Sequence, residues 1–231
     1  GPGGSGGMGM GSGGYGGPPQ QEEPSGLDPR EEALELLERT KSSETAGQLK
    51  SLARKVDDIK LKKRILGMLV DVSGDQSVQF LRQMATGKKQ NYASADEVKA
   101  EVANRAAAAV ALGQAGDTDF SSQLASMLQE QAPAKGSIKK ADNYNKLANE
   151  WQMKMRAVVL DAFAKLARGR DLQSMVGGQT FQAIRQMSLE LATNPGPEDS
   201  SLTEERAALR TAALRALTAA SGASEGSGMV L

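Results

Sequence analysis

The chain contains neither cysteine nor histidine. Their absence removes disulfides, thiol nucleophiles, Cys/His zinc sites, the commonest general base and the Glu-x-x-His di-iron pattern together. It leaves the redox compartment open, because a cysteine-free protein suits any of them. Aromatics are nearly as scarce, at 3% of 231 residues. An excess of one charge is also missing, since Lys+Arg and Asp+Glu stand at 28 each. No long-range field therefore draws in nucleic acid or an anionic membrane. Long apolar runs are lacking too, and none approaches the roughly 20 residues that cross a bilayer. These absences point to a soluble protein with no metal, no cofactor, no nucleic-acid partner and no membrane insertion.

What is present divides into three stretches. Residues 1–26 hold much of the glycine, and glycine loses the most backbone entropy on ordering, so this segment reads as a disordered tail. Within it Gly11-Ser12-Gly13-Gly14-Tyr15-Gly16 matches GxGxxG in letters alone, because that motif needs a strand before it and a helix after it. The first residue is not Met, which fits either a tag remnant or the end left after an export signal is removed; the Gly-rich tail tips the reading towards export. Residues 27–222 form a helical domain, and 223–231 a flexible C-terminal tail.

Within the domain, Asp28 as N-cap and Pro29 at the first helical position open a helix whose apolar face is Ala33, Leu34, Leu36 and Leu37. A second runs from about Glu44 to Val56 on Leu49, Leu52 and Ala53, and a third from Asp58 to Val72 on Ile65, Leu66, Met68 and Leu69. Gly74-Asp75 ends the third and caps a partner carrying Val78, Phe80, Leu81 and Met84. After a loop at 87–93, Ser94 and Glu97 form a capping box for a long helix containing Ala106 to Ala109. Gly116-Asp117 breaks it, and Phe120, Leu124, Met127 and Leu128 then fold back onto it as a helical hairpin. From about 140–142 to Ala167 the longest helix carries Trp151, Met155, Val158, Val159, Ala162, Phe163 and Leu166, with Gly169 as its stop. Residues 171–193 are helical with a break at Gly177-Gly178, and Phe181, Ile184, Met187, Leu189 and Leu191 are partly buried. Asn194-Pro195-Gly196-Pro197 is a breaker. A Ser201/Glu204 capping box then opens a last helix on Leu209, Ala212, Ala213, Leu217 and Ala220.

Arg64, Arg105, Arg156 and Arg210 each head an alanine- or leucine-rich run closed by Gly74, Gly116, Gly169 and Gly222. Their spacings are 41, 51 and 54 residues. The runs NRAAAAVALGQAGD from Asn104 and KRILGMLVDVSGD from Lys63 resemble the first helix and turn of HEAT repeats, including the HEAT-like repeats of bilin lyases. The resemblance covers residues 58–222. It implies an all-α, short irregular helical-repeat domain, an α-solenoid that binds other proteins along a curved face. Uneven spacing leaves a closed irregular bundle as the alternative architecture. Bilin lyase activity is not implied, because no cysteine or aromatic-rich pocket accompanies the repeats.

Candidate sites are few. Lys60, Lys62, Lys63 and Arg64 read as a solvated face paired with Asp57, Asp58 and Asp71. The acidic pairs Asp57/Asp58, Asp117/Asp119 and Glu204/Glu205 read as caps and first-turn acids, not catalytic dyads. Tyr144, Trp151, Lys154 and Arg156 are candidate protein-binding residues, because exposed Trp, Tyr and Arg anchor interfaces. Tyr144 reads as exposed, whereas Trp151 is anchor or core. The function expected is a non-enzymatic protein-protein interaction scaffold. A structural subunit of a larger assembly is the alternative, and an enzyme using only Asp, Glu, Lys or Tyr comes third.

Overall fold

Apolar residues at intervals of three and four run along most of the α-helices among the described residues. The computed structural model describes residues 29–40, 42–168, 170 and 172–221. Among them are ten α-helices: α1 (Pro29–Thr40), α2 (Ser43–Lys55), α3 (Ile59–Ser73), α4 (Asp75–Thr86), α5 (Ala95–Ala115), α6 (Ser121–Leu128), α7 (Tyr144–Leu166), α8 (Leu172–Val176), α9 (Gly178–Thr193) and α10 (Thr203–Ala220). The protein is all-α, with no strand among the described residues. The tails 1–26 and 223–231, the Asp28 cap and the stops at Gly169 and Gly222 lie outside the described residues.

The helix ends follow local chemistry more varied than the sequence reading. Asp58 caps α3 by accepting from the backbone N–H groups of Lys60 (2.8 Å) and Leu61 (3.0 Å). Gly116 closes α5 in the left-handed region, at φ 71°, which glycine adopts without a Cβ penalty. The two expected capping boxes are corrected. Ser94 accepts from Glu97 N–H, but the Glu97 carboxylate turns to Ala93 N–H (2.6 Å) and to the Lys89 ammonium, a stronger partner than a further amide. At α10, Asp199 takes the backbone N–H and the hydroxyl of Ser201 (2.8 and 2.7 Å), so Ser201 is occupied before the helix begins at Thr203. Asp75 is the first residue of α4, not its cap; Gly74 holds that place at φ 45° with no capping side chain.

The helices form two layers. One is a row in which α3 packs on α5, α5 on α7 and α7 on α10; behind it α2 backs α3, α4 backs α5, α6 backs α7 and α9 backs α10. Arg64, Arg105, Arg156 and Arg210 fall one in each helix of the row. The expected pairing was in the opposite phase. Instead of folding back on α5, α6 packs against α7, and α4 packs far more on α5 than on α3. The reason lies in α5, whose Val98, Val102, Ala106 to Ala109, Ala111 and Leu112 are buried around most of its circumference. With α3, α4 and α7 against it, no face remains for α6. Phe120, Leu124, Met127 and Leu128 are buried as expected, against a different neighbour.

Small residues set the α5–α7 distance. A Cβ on Gly113 would lie 3.0 Å from the Ala162 carbonyl oxygen and 3.2 Å from its Cα. The α5 surface also carries a cation inward. Arg105 is 1% exposed; its Nε donates to Ala85 O (2.8 Å) and its Nη2 to both oxygens of Glu130 (3.0 and 2.9 Å), which Lys88 also reaches at 2.9 Å.

Several side chains depart from the expected pattern. Lys62 is buried, not part of a solvated face: its Nζ donates to Asn104 Oδ1 at 2.6 Å, and burial pushes its ammonium below the ordinary value against the pull of Asp57. Ala33 and Leu36 of α1 are exposed, because only Leu34 and Leu37 reach the core. Leu189 is likewise exposed, at 58%. The 87–93 loop buries Tyr92, whose hydroxyl donates to Glu101 (2.9 Å) and whose backbone bridges to Ile138. Asp117 is more than a first-turn acid, accepting from Arg82 of α4 at 2.7 and 2.5 Å.

Gly113→Val is expected to lower unfolding free energy by about 1–3 kcal/mol through overpacking. Gly47→Ala, which meets nothing within 4 Å inside α2, raises it by about 0.5–1 kcal/mol through helix propensity. Glu130→Ala, which strands the Arg105 charge, is expected to cost about 3–5 kcal/mol. Urea titrations followed by circular dichroism check all three.

Candidate functional site

The four residues nominated from sequence all sit on α7, and the structure separates them. Trp151 is buried at 3% exposure, with Nε1 free of any hydrogen-bond partner, so it is core and not an exposed anchor. Tyr144 is half-buried, and its hydroxyl donates to Pro133 O (2.9 Å), tying the start of α7 to the preceding connection. That corrects the reading of Tyr144 as exposed. Trp151 is enclosed because α5, α6 and α10 all pack on α7, whereas Tyr144 is drawn in by the connection that precedes the helix. Lys154 does reach the surface, where it bonds Glu150 at 2.6 Å and lies 4.0 Å from Glu205. The recess shared by Trp151, Glu150, Lys154 and α5 has a volume of about 10 Å³, roughly the space of one water.

Arg156 stands elsewhere on the helix, in a cleft of about 650 Å³ bounded by α7, the end of α9, the Asn194–Glu198 turn and the first half of α10. Arg206 and Arg210 line it as well. These two are four residues apart on α10 and therefore share a face. Arg206 lies 3.7 Å from Glu198, whose side chain is 89% exposed. The Nε atoms of Arg156 and Arg206 are both buried without a hydrogen-bond partner. Burial pushes the Arg156 guanidinium below its ordinary value, and the charge of Glu190 acts against this.

The wall of the cleft is held by close packing. Gly196 adopts φ 127°, and a Cβ there would come within 2.8 Å of Met153 Cε. The breaker between α9 and α10 is thus pressed onto α7. Arg206 was missed in the sequence, although its four-residue spacing from Arg210 was visible. Nothing in the sequence indicated that α10 would turn this pair towards Arg156, because that depends on the packing of α7 against α10.

The other charged features resolve into local structure. Arg64 reaches Glu38 of α1 at 3.5 Å, Asp58 is a cap, and Glu204 and Glu205 lie in the first turn of α10. Among the described residues no group of three or more acidic side chains could hold a metal ion, and no helix is long and apolar enough to cross a membrane. Among the described residues, four buried side-chain nitrogens have no hydrogen-bond partner: Nε of Arg156 and of Arg206, from the arginines of the cleft, and Arg105 Nη1 and Trp151 Nε1 elsewhere.

Glu150 provides a pH test of the opposite α7 face. Burial pushes its carboxyl up, but the hydrogen bond from Lys154 and the charges of Lys154 and Lys99 outweigh that, leaving it below the ordinary value of 4.5. A depressed folded-state value adds stability above the unfolded-state value, and that stability is lost as pH falls through the folded one. Glu150→Gln is expected to lower stability at pH 7 by under about 1 kcal/mol, because both lysines are half exposed and screened. The loss should shrink towards zero in thermal unfolding at pH 3. Comparison with protein-family models, with curated proteins and with solved structures gives no match for this chain.

Proposed function

We propose that this chain is a non-enzymatic scaffold of the HEAT-like kind, which holds a partner protein along its stacked helix pairs. The observation that carries the reading is the two-layer order of the helices. Each helix of the row is backed by its predecessor, and the four arginines recur one per row helix. Such an array buries its core between neighbours and leaves both layers facing outward as extended surfaces. A partner that spans several pairs gains area without needing a deep pocket.

A second reading, a structural subunit of a larger assembly, is favoured by one observation. Leu189 on α9 and Leu214 on α10 are 58% and 52% exposed, and these two helices form the last pair of the array. Analytical ultracentrifugation of the full chain separates the two. The scaffold reading expects a monomer up to about 50 µM, that is, self-association weaker than about 6 kcal/mol. Crosslinks to protein captured from native extract should then fall on one helix layer. Concentration-dependent self-association that Leu214→Glu abolishes overturns the scaffold in favour of the assembly subunit.

A further inference from the structure

The cleft between α7, α9 and α10 gathers three arginines around one lining carboxylate, in a chain whose opposite charges are equal in number overall. Arg206 and Arg210 sit four residues apart on α10, where like charges repel, and Arg156 approaches from α7. Of the acids nearby, Glu198 is mostly in solvent and touches only Arg206, while Glu190 acts on Arg156 without a direct ion pair within 4 Å. A guanidinium carries five N–H donors and no acceptor. Two of these donors, Nε of Arg156 and Nε of Arg206, are removed from water and bonded to nothing in the protein. Asn194 adds an amide to the same lining, its side-chain oxygen already accepting from Gly196 N–H at 3.4 Å. Repulsion among three arginines that line one open cleft eases when an anion with several oxygens enters it.

We propose that this cleft is a phosphoryl-binding site. A phosphate dianion offers the charge and the spread of acceptor oxygens that three arginines can meet together, in the bidentate geometry that guanidinium favours. A monocarboxylate neutralises only one of them. The phosphoryl group comes either from a small phosphorylated molecule or from a phosphorylated side chain of a protein. The inference does not rest on the scaffold reading, since the cleft chemistry is the same in either case.

The test is titration of the full chain with inorganic phosphate, against chloride of equal ionic strength, by isothermal calorimetry and thermal unfolding. A saturable one-to-one isotherm and a raised unfolding midpoint are expected. Arg210→Gln, at an exposed position that cannot disturb the core, should weaken binding about tenfold or more, the effect of losing one charge-assisted bidentate contact. Arg156→Gln should abolish the phosphate response while leaving stability in chloride equal or higher, because it removes a half-buried charge that has no ion-pair partner within 4 Å. Arg215→Gln, which pairs with Asp161 away from the cleft, should bind phosphate as the unaltered chain does. The proposal is overturned by a response that does not saturate, by acetate acting as strongly as phosphate, or by Arg215→Gln losing as much as Arg210→Gln. A phosphoserine peptide then assigns the source: tighter binding than inorganic phosphate supports a protein-borne group, and equal or weaker binding supports a small phosphorylated molecule.

Discussion

The guanidinium of Arg105 is the constraint on which the middle of this protein depends. It is fully enclosed, and a charge so enclosed depends on an opposite charge and on acceptors for its donors. Ala85 O at the end of α4 meets its Nε and the Glu130 carboxylate just past α6 its Nη2, while Nη1 is buried without a partner. One side chain of α5 thereby fixes where its preceding helix stops and where the following one ends. Lys88 extends the link into the loop after α4, and Tyr92 adds a bond to Glu101 and a backbone bridge to Ile138. The polar network joins α6 to α5 where apolar packing does not. It explains how α6 stays in register while burying its Leu124 and packing on α7.

Local pattern was enough to find nearly every helix, because each carries its own amphipathic spacing. The arginine recurrence also picked out the four helices that stand in a row. What local pattern could not show was which neighbour each helix would choose. The alanine face of α5 was read as the inner side of a hairpin with α6. In fact alanine covers so much of α5 that three other helices occupy it. Spacing reports that a face is apolar and is silent about how many helices compete for it. Lys62 was misread for a related reason: its place in a run of basic residues outweighed, on paper, a position that points at Asn104.

The nominated site residues show the same division. Tyr144, Trp151, Lys154 and Arg156 are close in sequence, yet a helix rotates about 100° per residue and disperses them. Only Arg156 meets other arginines, and those come from α10, some fifty residues later in the chain. Electrostatically the two faces of α7 are opposites. Around Glu150 a buried carboxylate is surrounded by ammonium groups that stabilise it, whereas around Arg156 the cations outnumber the acids. One helix thus carries a satisfied ion network on one side and an unsatisfied one on the other.

The row of helices has a consequence for how the chain folds and comes apart. Most strong contacts join elements that are close in sequence, with α7 making the two densest joins, to α10 and to α5, and α1 touching little beyond α3. A chain with such local connectivity closes few long loops before its contacts form, so it folds quickly for its length. It also lets go in stages, since each pair is held only by its neighbours. Amide protection should accordingly decline from the centre outward, lowest in α1 and highest along the glycine and alanine seam where α5 meets α7.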